Sequence, residues 1–271
     1  MEDSELLRVF DKEVRQECTW TRMRRDVQPG LVRHVLNEGT SSGGLISWTD
    51  IPADSVDGVI AEQIHYFQGL NADFEWKLYD YDQPADLGVR LLAHGFKKED
   101  PEALMVGEIH SLPQSYWDLD TSMVQRISTP EEVDEILAME KEVWDEDVSG
   151  FAKGMKYDLL HYPEIISVYV VRQDGRVVSA AWTHYLVPTS FASLWGGSTL
   201  RQYRRRGYYT ALLAARAREA RQRGYRLLQV DASPDSQPIL AKHGFRCLAY
   251  STPYEWEPAN AAKPASGDQT Q

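Results

Sequence analysis

The residues whose types and spacing most clearly suggest a chemical role form a basic turn, Tyr203–Tyr209, in which three consecutive arginines precede Gly207. Apolar residues recur at helical spacing from Thr210 to Arg223, so the turn is predicted to open a helix. The first backbone N–H groups of a helix lack internal partners and carry a partial positive charge, which suits them to bind an anion. Gly207 lets the backbone approach that anion closely, and the arginines add charge. The turn therefore predicts a phosphate-binding site.

The elements around this turn follow a specific order. A strand with the pair Gly196-Gly197 precedes it, and a second strand, a short helix and His243-Gly244-Phe245 follow the long helix. The two strands are predicted at Ser190–Thr199 and Tyr225–Asp231. With the spacing Arg204-x-x-Gly207, this order resembles the coenzyme-binding region of the GNAT superfamily of N-acetyltransferases. The resemblance covers residues 125–257.

The resemblance implies acetyl-CoA as a co-substrate and no metal. It also implies that the strand with Gly196-Gly197 splays from its neighbour and pairs with the pantetheine amides, as an added strand would. A backbone N–H in Ser198–Leu200 would stabilise the oxyanion. The residues expected to contact the coenzyme are Ser198, Thr199, Leu200, Arg204, Arg205, Arg206, Gly207, Tyr208, Tyr209, Thr210 and Ser236.

Two positions depart from the family pattern. Tyr209 stands where the loop has a small residue, which is expected to narrow the turn. Leu240 stands four residues before Gly244, where the family often has a tyrosine that protonates the departing thiolate. We therefore carry two hypotheses. The first is an acetyl-CoA-dependent N-acetyltransferase acting on an amine of a small molecule or peptide, and the alternative is a catalytically weak or inactive acyl-CoA-binding module.

No spacing argument identifies the catalytic residues. The candidates for a general base are His184, Asp231 and the acidic loop Asp145–Asp147. A lone histidine such as His184 is more often a core or surface residue, which is the competing interpretation. Tyrosine substitutes for the proton donor are Tyr208, Tyr209 and Tyr254, although most tyrosines serve packing.

Composition limits the other function classes. The 271 residues are 42% hydrophobic, as in a globular protein. A nucleic-acid-binding protein that uses the arginine-rich turn as a basic patch is the third hypothesis, and the net charge of −12 disfavours it. Metal-ligand, P-loop and serine-hydrolase motifs do not occur. Cys18 and Cys247 share no motif, and no signal peptide or long apolar run is present. We expect a cytoplasmic protein without a membrane partner, and a homodimer is left open.

The chain is long enough for two domains. The strand predicted at Phe74–Asp80 and the pair Gly95-Phe96 match Tyr225–Asp231 and Gly244-Phe245 in type and spacing, which indicates an internal repeat. We expect a degenerate GNAT-like domain without a coenzyme loop at 1–120, a GNAT domain at 121–257 and a disordered tail at 258–271. The expected fold is α/β (α+β), with a mixed, mostly antiparallel sheet flanked by helices.

Local signals predict the remaining elements. Helical periodicity covers Asp3–Glu17, Ala53–Leu70 and Pro84–His94. Thr129-Pro130-Glu131-Glu132 is a capping box that opens another helix, and Asp174-Gly175 predicts a type I′ hairpin turn.

Overall fold

A computed structural model describes residues 1–36, 43–144 and 149–258. The helices are α1 (Asp3–Phe10, continued by a π-helix over Asp11–Glu17), α2 (Val56–Gly69), α3 (Leu87–Ala93), α4 (Gln114–Trp117), α5 (Val133–Trp144), α6 (Ser149–His161), α7 (Tyr208–Gln222) and α8 (Gln237–Lys242). The strands are β1 (Met23–Gln28), β2 (Leu31–Leu36), β3 (Gly44–Thr49), β4 (Phe74–Tyr79), β5 (Lys97–Lys98), β6 (Glu102–Glu108), β7 (Val124–Ile127), β8 (Ile166–Gln173), β9 (Arg176–Tyr185), β10 (Phe191–Thr199), β11 (Leu227–Ala232) and β12 (Arg246–Trp256).

The described residues pack as two compact units that exchange segments. The larger unit comprises Met1–Thr21 and Glu102–Ala249, and the smaller unit comprises Arg22–Pro101 and the chain from Tyr250 onward. The first helix and β6 thus belong to the larger unit, while the end of β12 belongs to the smaller one. The compact units divide the chain at other positions than residue 120. A boundary near residue 120 between two domains that fold independently stays a prediction.

The sheet of the larger unit explains the position of its functional strands. β6 pairs antiparallel with β11, β11 pairs parallel with β10, and β10, β9, β8 and β7 pair antiparallel in that order. Helices α5, α6 and α7 bury apolar residues against these strands, and Phe10 of α1 packs edge-on against Phe191 of β10, with ring centroids 5.8 Å apart. The expected fold class, a mixed and mostly antiparallel sheet flanked by helices, is confirmed.

Local signals in the sequence account for the turns of this unit. The capping box is present, because the backbone N–H of Thr129 donates to Oε2 of Glu132 at 3.3 Å ahead of α5. The hairpin between β8 and β9 has positive φ angles of 52° at Asp174 and 77° at Gly175, as a type I′ turn requires.

The smaller unit repeats the pairing order of the larger one. β1, β2 and β3 pair antiparallel, β3 pairs parallel with β4 across α2, and β4 pairs antiparallel with β12. In both units a parallel pair, joined by a helix, is flanked on one side by antiparallel strands and on the other by one strand from a distant part of the chain. This shared order agrees with the internal repeat that the sequence indicates.

Several parts of the fold differ from the sequence-based expectation. The sequence does not predict the strands β1, β5, β7 and β12 or the short helix α4. The predicted acidic loop Asp145–Asp147, most of the loop at 37–44 and the predicted tail after Pro258 lie outside the described residues.

Candidate functional site

The strands β10 and β11 diverge after a short parallel contact. Their pairing covers only Phe191–Ser193 opposite Leu227–Gln229, and beyond that point β11 pairs with β6 alone. At the point of divergence Nε2 of Gln229 donates to Oγ of Ser193 at 2.6 Å. Oε1 of Gln229 is buried and has no hydrogen-bond partner among the described residues. The predicted splay is therefore present, and a buried acceptor without a partner among the described residues lies at its start.

A glycine bulge, defined as Gly196–Ser198, interrupts β10 along the splayed part. The register with β9 shifts between Gly196 and Ser198, and φ is +66° at Gly196 and +93° at Gly197. These backbone conformations strongly favour glycine. The bulge redirects the backbone groups of β10 at the point where the strand leaves its parallel neighbour.

The basic turn at the start of α7 presents unpaired backbone amides. Gly207 caps the helix with a φ of +81°, and the first intrahelical bond runs from N of Ala211 to O of Gly207 at 2.9 Å. The N–H groups of Tyr208, Tyr209 and Thr210 precede that bond, so they have no intrahelical acceptor. A Cβ added at Gly207 would meet no atom within 4 Å, so the turn is open at this glycine. This geometry fits a pyrophosphate group.

The three arginines of the turn are exposed, and two of them brace the turn itself. Nε of Arg204 donates to O of Thr199 at 3.2 Å, and Arg206 donates to O of Gln202 at 3.3 Å. Arg205 adopts a positive φ of 64°, which contributes to the sharp chain reversal before Gly207. The turn is held by the same cations that would attract a phosphate.

The ring of Tyr209 contacts the strand β10, and the narrowing of the turn that the sequence predicts stays a prediction. The ring packs beneath the glycine bulge, where a Cβ added at Gly197 would lie 2.8 Å from Cε2 of Tyr209. The ring also joins the core cluster between α7 and the sheet. Tyr209 and Gly197 are thus complementary in size, because the ring occupies the space that a side chain on the strand would fill.

A buried arginine supports the strands around the bulge. Arg216 of α7 is 2% exposed, and its Nη1 donates to O of Trp182 at 3.3 Å and to O of Trp195 at 3.1 Å. Burial lowers the pKa of this guanidinium. Arg216 therefore ties β9 to the residue of β10 immediately before the bulge.

A buried carboxylate on α5 faces the last residue of the bulge. Glu140 is 3% exposed, and its Oε2 accepts a hydrogen bond from Nε1 of Trp144 at 2.7 Å. Burial raises the pKa of Glu140, and hydrogen bonding from Ser198 and Trp144 partly opposes the increase. Oε1 meets no donor at ordinary hydrogen-bond geometry among the described residues. The sequence alone assigns Glu140 no role. The residue lies among the buried apolar residues of α5, and a glutamate at such a position is the signal by which it could have been found.

The other predicted catalytic residues lie on different elements. His184 lies on β9 with its ring 6.1 Å from that of Trp195, and Asp231 lies on β11 opposite Leu104 of β6. Tyr254 lies on β12 and packs in the core of the smaller unit. The assignment of any of these three as catalytic remains a prediction.

Three further predicted positions have local partners. The backbone N–H of Leu200 donates to O of Val178 at 3.0 Å and its side chain is buried, so this amide is not a free oxyanion donor and Ser198 and Thr199 keep that predicted role. Ser236 caps the six-residue helix α8 and contacts Ser233. Leu240 is 1% exposed and belongs to the apolar core.

The corresponding region of the smaller unit lacks these features. The helix α2 follows an acidic segment with Asp50 and Asp54 rather than an arginine-glycine turn. Nε1 of the fully buried Trp76 on β4 donates to Oγ1 of Thr49 on β3 at 2.9 Å, so an indole ring spans the two diverging strands. Negative charge and a filled gap both oppose phosphate binding here.

Within residues 1–36, 43–144 and 149–258, no group of three or more His, Cys, Asp or Glu side chains is arranged to hold a metal ion. No helix in the same ranges has the length and apolar character needed to cross a bilayer.

Comparison with known proteins relates the site to a family. The sequence model described as "Acetyltransferase (GNAT) family" matches residues 133–245. No curated protein sequence matches the chain at a significant level.

Solved structures resemble the whole chain. A GCN5-related N-acetyltransferase from Kribbella flavida is 18% identical with a TM-score of 0.62, over 94% of this chain and 94% of that one. A GCN5-related N-acetyltransferase from Sphaerobacter thermophilus is 16% identical with a TM-score of 0.54, over 94% and 85% of the two chains. A tandem GNAT protein from the clavulanic acid biosynthesis pathway is 12% identical with a TM-score of 0.55, over 88% and 84%. At this identity the likeness concerns the fold, and it extends to the N-terminal region. Residues 133–245 of this chain therefore form a domain that matches the acetyltransferase (GNAT) family, and the chain as a whole, its N-terminal region included, has a fold like that of GNAT proteins.

Proposed function

We propose that the larger unit is an acetyl-CoA-dependent N-acetyltransferase that transfers an acyl group to an amine of a small molecule or peptide. The observation that carries the proposal is the convergence of the splayed strand β10, its glycine bulge and the open amides of α7 in one compact unit. A cytoplasmic location is part of the proposal and rests on the sequence alone.

Different residues of this chain would bind the coenzyme and orient its thioester. The amides of Tyr208–Thr210 would bind the pyrophosphate, and the exposed arginines would raise the local concentration of the anion. The splayed edge of β10 would hold the pantetheine arm as an added strand, with Ser198 or Thr199 supplying an amide to the thioester oxygen. Fixing both reactants in attack geometry lowers the barrier by about 7–11 kcal/mol in favourable cases.

A charge substitution at Gly207 tests the coenzyme site. Gly207→Asp would place a carboxylate near the pyrophosphate, and two unit charges about 5 Å apart at an effective dielectric constant of about 20 repel by about 3 kcal/mol. We expect calorimetry to show acetyl-CoA affinity reduced at least a hundredfold. Gly207→Asn has nearly the same shape and tolerates positive φ, so it should retain most of the affinity.

The opposite end of the same helix provides a matched control. Gly224 also has a positive φ, +87°, and no atom within 4 Å of an added Cβ. Gly224→Asp therefore introduces the same strain and charge away from the amides and should leave acetyl-CoA binding intact. Equal affinity in Gly207→Asp and wild type would refute the site.

A non-catalytic acyl-CoA-binding module is the second candidate. Leu240 favours it, because leucine cannot protonate a thiolate. Thiol release measured with a panel of primary amines separates the two, since a binding module would bind acetyl-CoA without releasing coenzyme A above the rate of buffer hydrolysis.

A further inference from the structure

Glu140 is an unusual residue to find in the interior of this unit. The residue is 3% exposed, and its carboxylate has no cationic partner among the described residues. The described groups that face it are the hydroxyl of Ser198 on β10 and the indole N–H of Trp144 on its own helix, and both are neutral. A buried carboxylate without a cation is costly unless it gains one from elsewhere.

Aromatic rings surround the same stretch of β10. Trp182 lies directly beneath Gly196, where an added Cβ would overlap its ring, and Phe151 of α6 packs on Trp182 with centroids 4.5 Å apart. Trp144 leaves 58% of its surface in solvent although its indole N–H is fixed on Glu140, and Trp195, next to the bulge, leaves 41%. Exposed tryptophans beside a buried carboxylate combine apolar contact, cation–π attraction and an anion.

We propose that Glu140 is the proton acceptor for the acceptor substrate, and that this substrate is a small primary amine, cationic at neutral pH, whose apolar body contacts Trp144 and the Trp182–Phe151 pair. This proposal rests on the proposed acetyltransferase function and names the substrate class and the base for it. The ammonium group supplies the charge that the carboxylate lacks in the protein.

The proton and electron balance of the step is complete. Glu140 takes one proton from the ammonium, which leaves the nitrogen with a free electron pair. That pair forms the bond to the thioester carbonyl carbon, and the carbon–sulfur bond breaks with its electron pair on sulfur. The amide nitrogen loses its second proton to the thiolate, and Glu140 returns its proton to solvent. The products are the acetylated amine, coenzyme A and one proton.

The environment of Glu140 suits this role. Burial moves the pKa of the carboxyl upward, toward the operating pH, where a general base is most effective. The rate with a cationic amine should therefore fall on the acidic side as Glu140 becomes protonated, at a pH above the usual range of a glutamate.

The test compares a cationic and a neutral amine. The probes are 2-phenylethylamine, an ammonium ion at pH 7, and aniline, which is already neutral at that pH and needs no base to expose its electron pair. We expect Glu140→Gln to slow coenzyme A release with 2-phenylethylamine by about 10²- to 10⁴-fold and to lose the acidic limb of the pH–rate profile. The rate with aniline should fall far less, and acetyl-CoA affinity by calorimetry should be unchanged. Glu135→Gln, on the same helix and paired with Arg172, is the matched control and should behave as wild type.

A second variant serves if Glu140→Gln does not fold. Trp144→Phe removes a hydrogen bond that lowers the pKa of the carboxyl, so the acidic limb should move to higher pH. Three outcomes would overturn this inference and leave the acetyltransferase function standing. They are equal losses of rate with both amines in Glu140→Gln, an acidic limb of the pH–rate profile that does not move in Trp144→Phe, and turnover by the wild-type protein only of amines that are not small cationic primary amines. Acetyl-CoA binding without turnover of any amine would overturn both.

Discussion

The fit of Tyr209 beneath Gly197 predicts a specific energetic coupling. Gly197→Ala must hold an alanine at a φ of +93°, which costs about 1–2 kcal/mol, and its Cβ would lie 2.8 Å from Cε2 of Tyr209. Relieving such an overlap in a packed core costs a further 1–3 kcal/mol or so. In a Tyr209→Ala background the ring is gone, so only the backbone strain remains. We therefore expect a coupling free energy of about 1–3 kcal/mol between the two substitutions.

A double-mutant cycle measured by urea unfolding gives this coupling. With an m-value of about 2 kcal/mol/M, a loss of about 2 kcal/mol moves the midpoint by about 1 M. Gly175→Ala is the control for strain alone, because Gly175 has a φ of +77° and no atom within 4 Å of an added Cβ. If the two substitutions at 197 and 209 are additive within about 0.5 kcal/mol, the ring does not occupy the space under the bulge and the account of Tyr209 is refuted.

Three further predictions follow from burial and charge. Leu240→Tyr should destabilise the protein by about 1–3 kcal/mol without raising the acetylation rate, because the leucine is in the core; a faster enzyme would show that position 240 reaches the thiolate. The raised pKa of Glu140 means that the folded state binds a proton more tightly than the unfolded state, so stability should fall as pH rises from the usual glutamate pKa of 4.5 through the folded value. Urea midpoints at several pH values should show this fall weakened in Glu140→Gln, and an identical pH dependence in both proteins would contradict it. Calorimetry should give one acetyl-CoA per chain, since Trp76 spans the gap of the smaller unit; two equivalent sites would contradict this.

The sequence predicted the elements whose signals are local. The capping box at Thr129 and the Asp174-Gly175 turn between β8 and β9 act over a few residues, and the structure places them as expected. β1, with the sequence MRRDVQ, carries too little apolar alternation to be recognised, and its pairing with β2 is what makes it a strand. β12 likewise depends on partners more than one hundred residues away in the chain, such as β4.

In the candidate site, too, the sequence predicted the features that are contiguous in the chain and did not predict contacts between separate elements. The basic turn of α7 could be identified because glycine, arginines and helical periodicity are contiguous. The proximity of Glu140 to Ser198 depends on the packing of α5 against β10, which no spacing in the sequence records. The contact between Tyr209 and Gly197 could not be predicted for the same reason, because the two residues lie on different elements.

The exchange of segments between the two units has a consequence for synthesis on the ribosome. β4 acquires its partner β12 only after residues 251–256 have been made, although the rest of the smaller unit is complete by residue 101. Until then one edge of that sheet presents unpaired backbone groups, which are a template for pairing with other chains. In the larger unit the early segments are the ones without partners. Its first helix and β6 are synthesised before the strands that they pack against or pair with, such as β11. A fragment cut at residue 120 would therefore leave an open edge on both pieces, and the two halves are expected to be soluble and correctly paired only when they are translated as one chain.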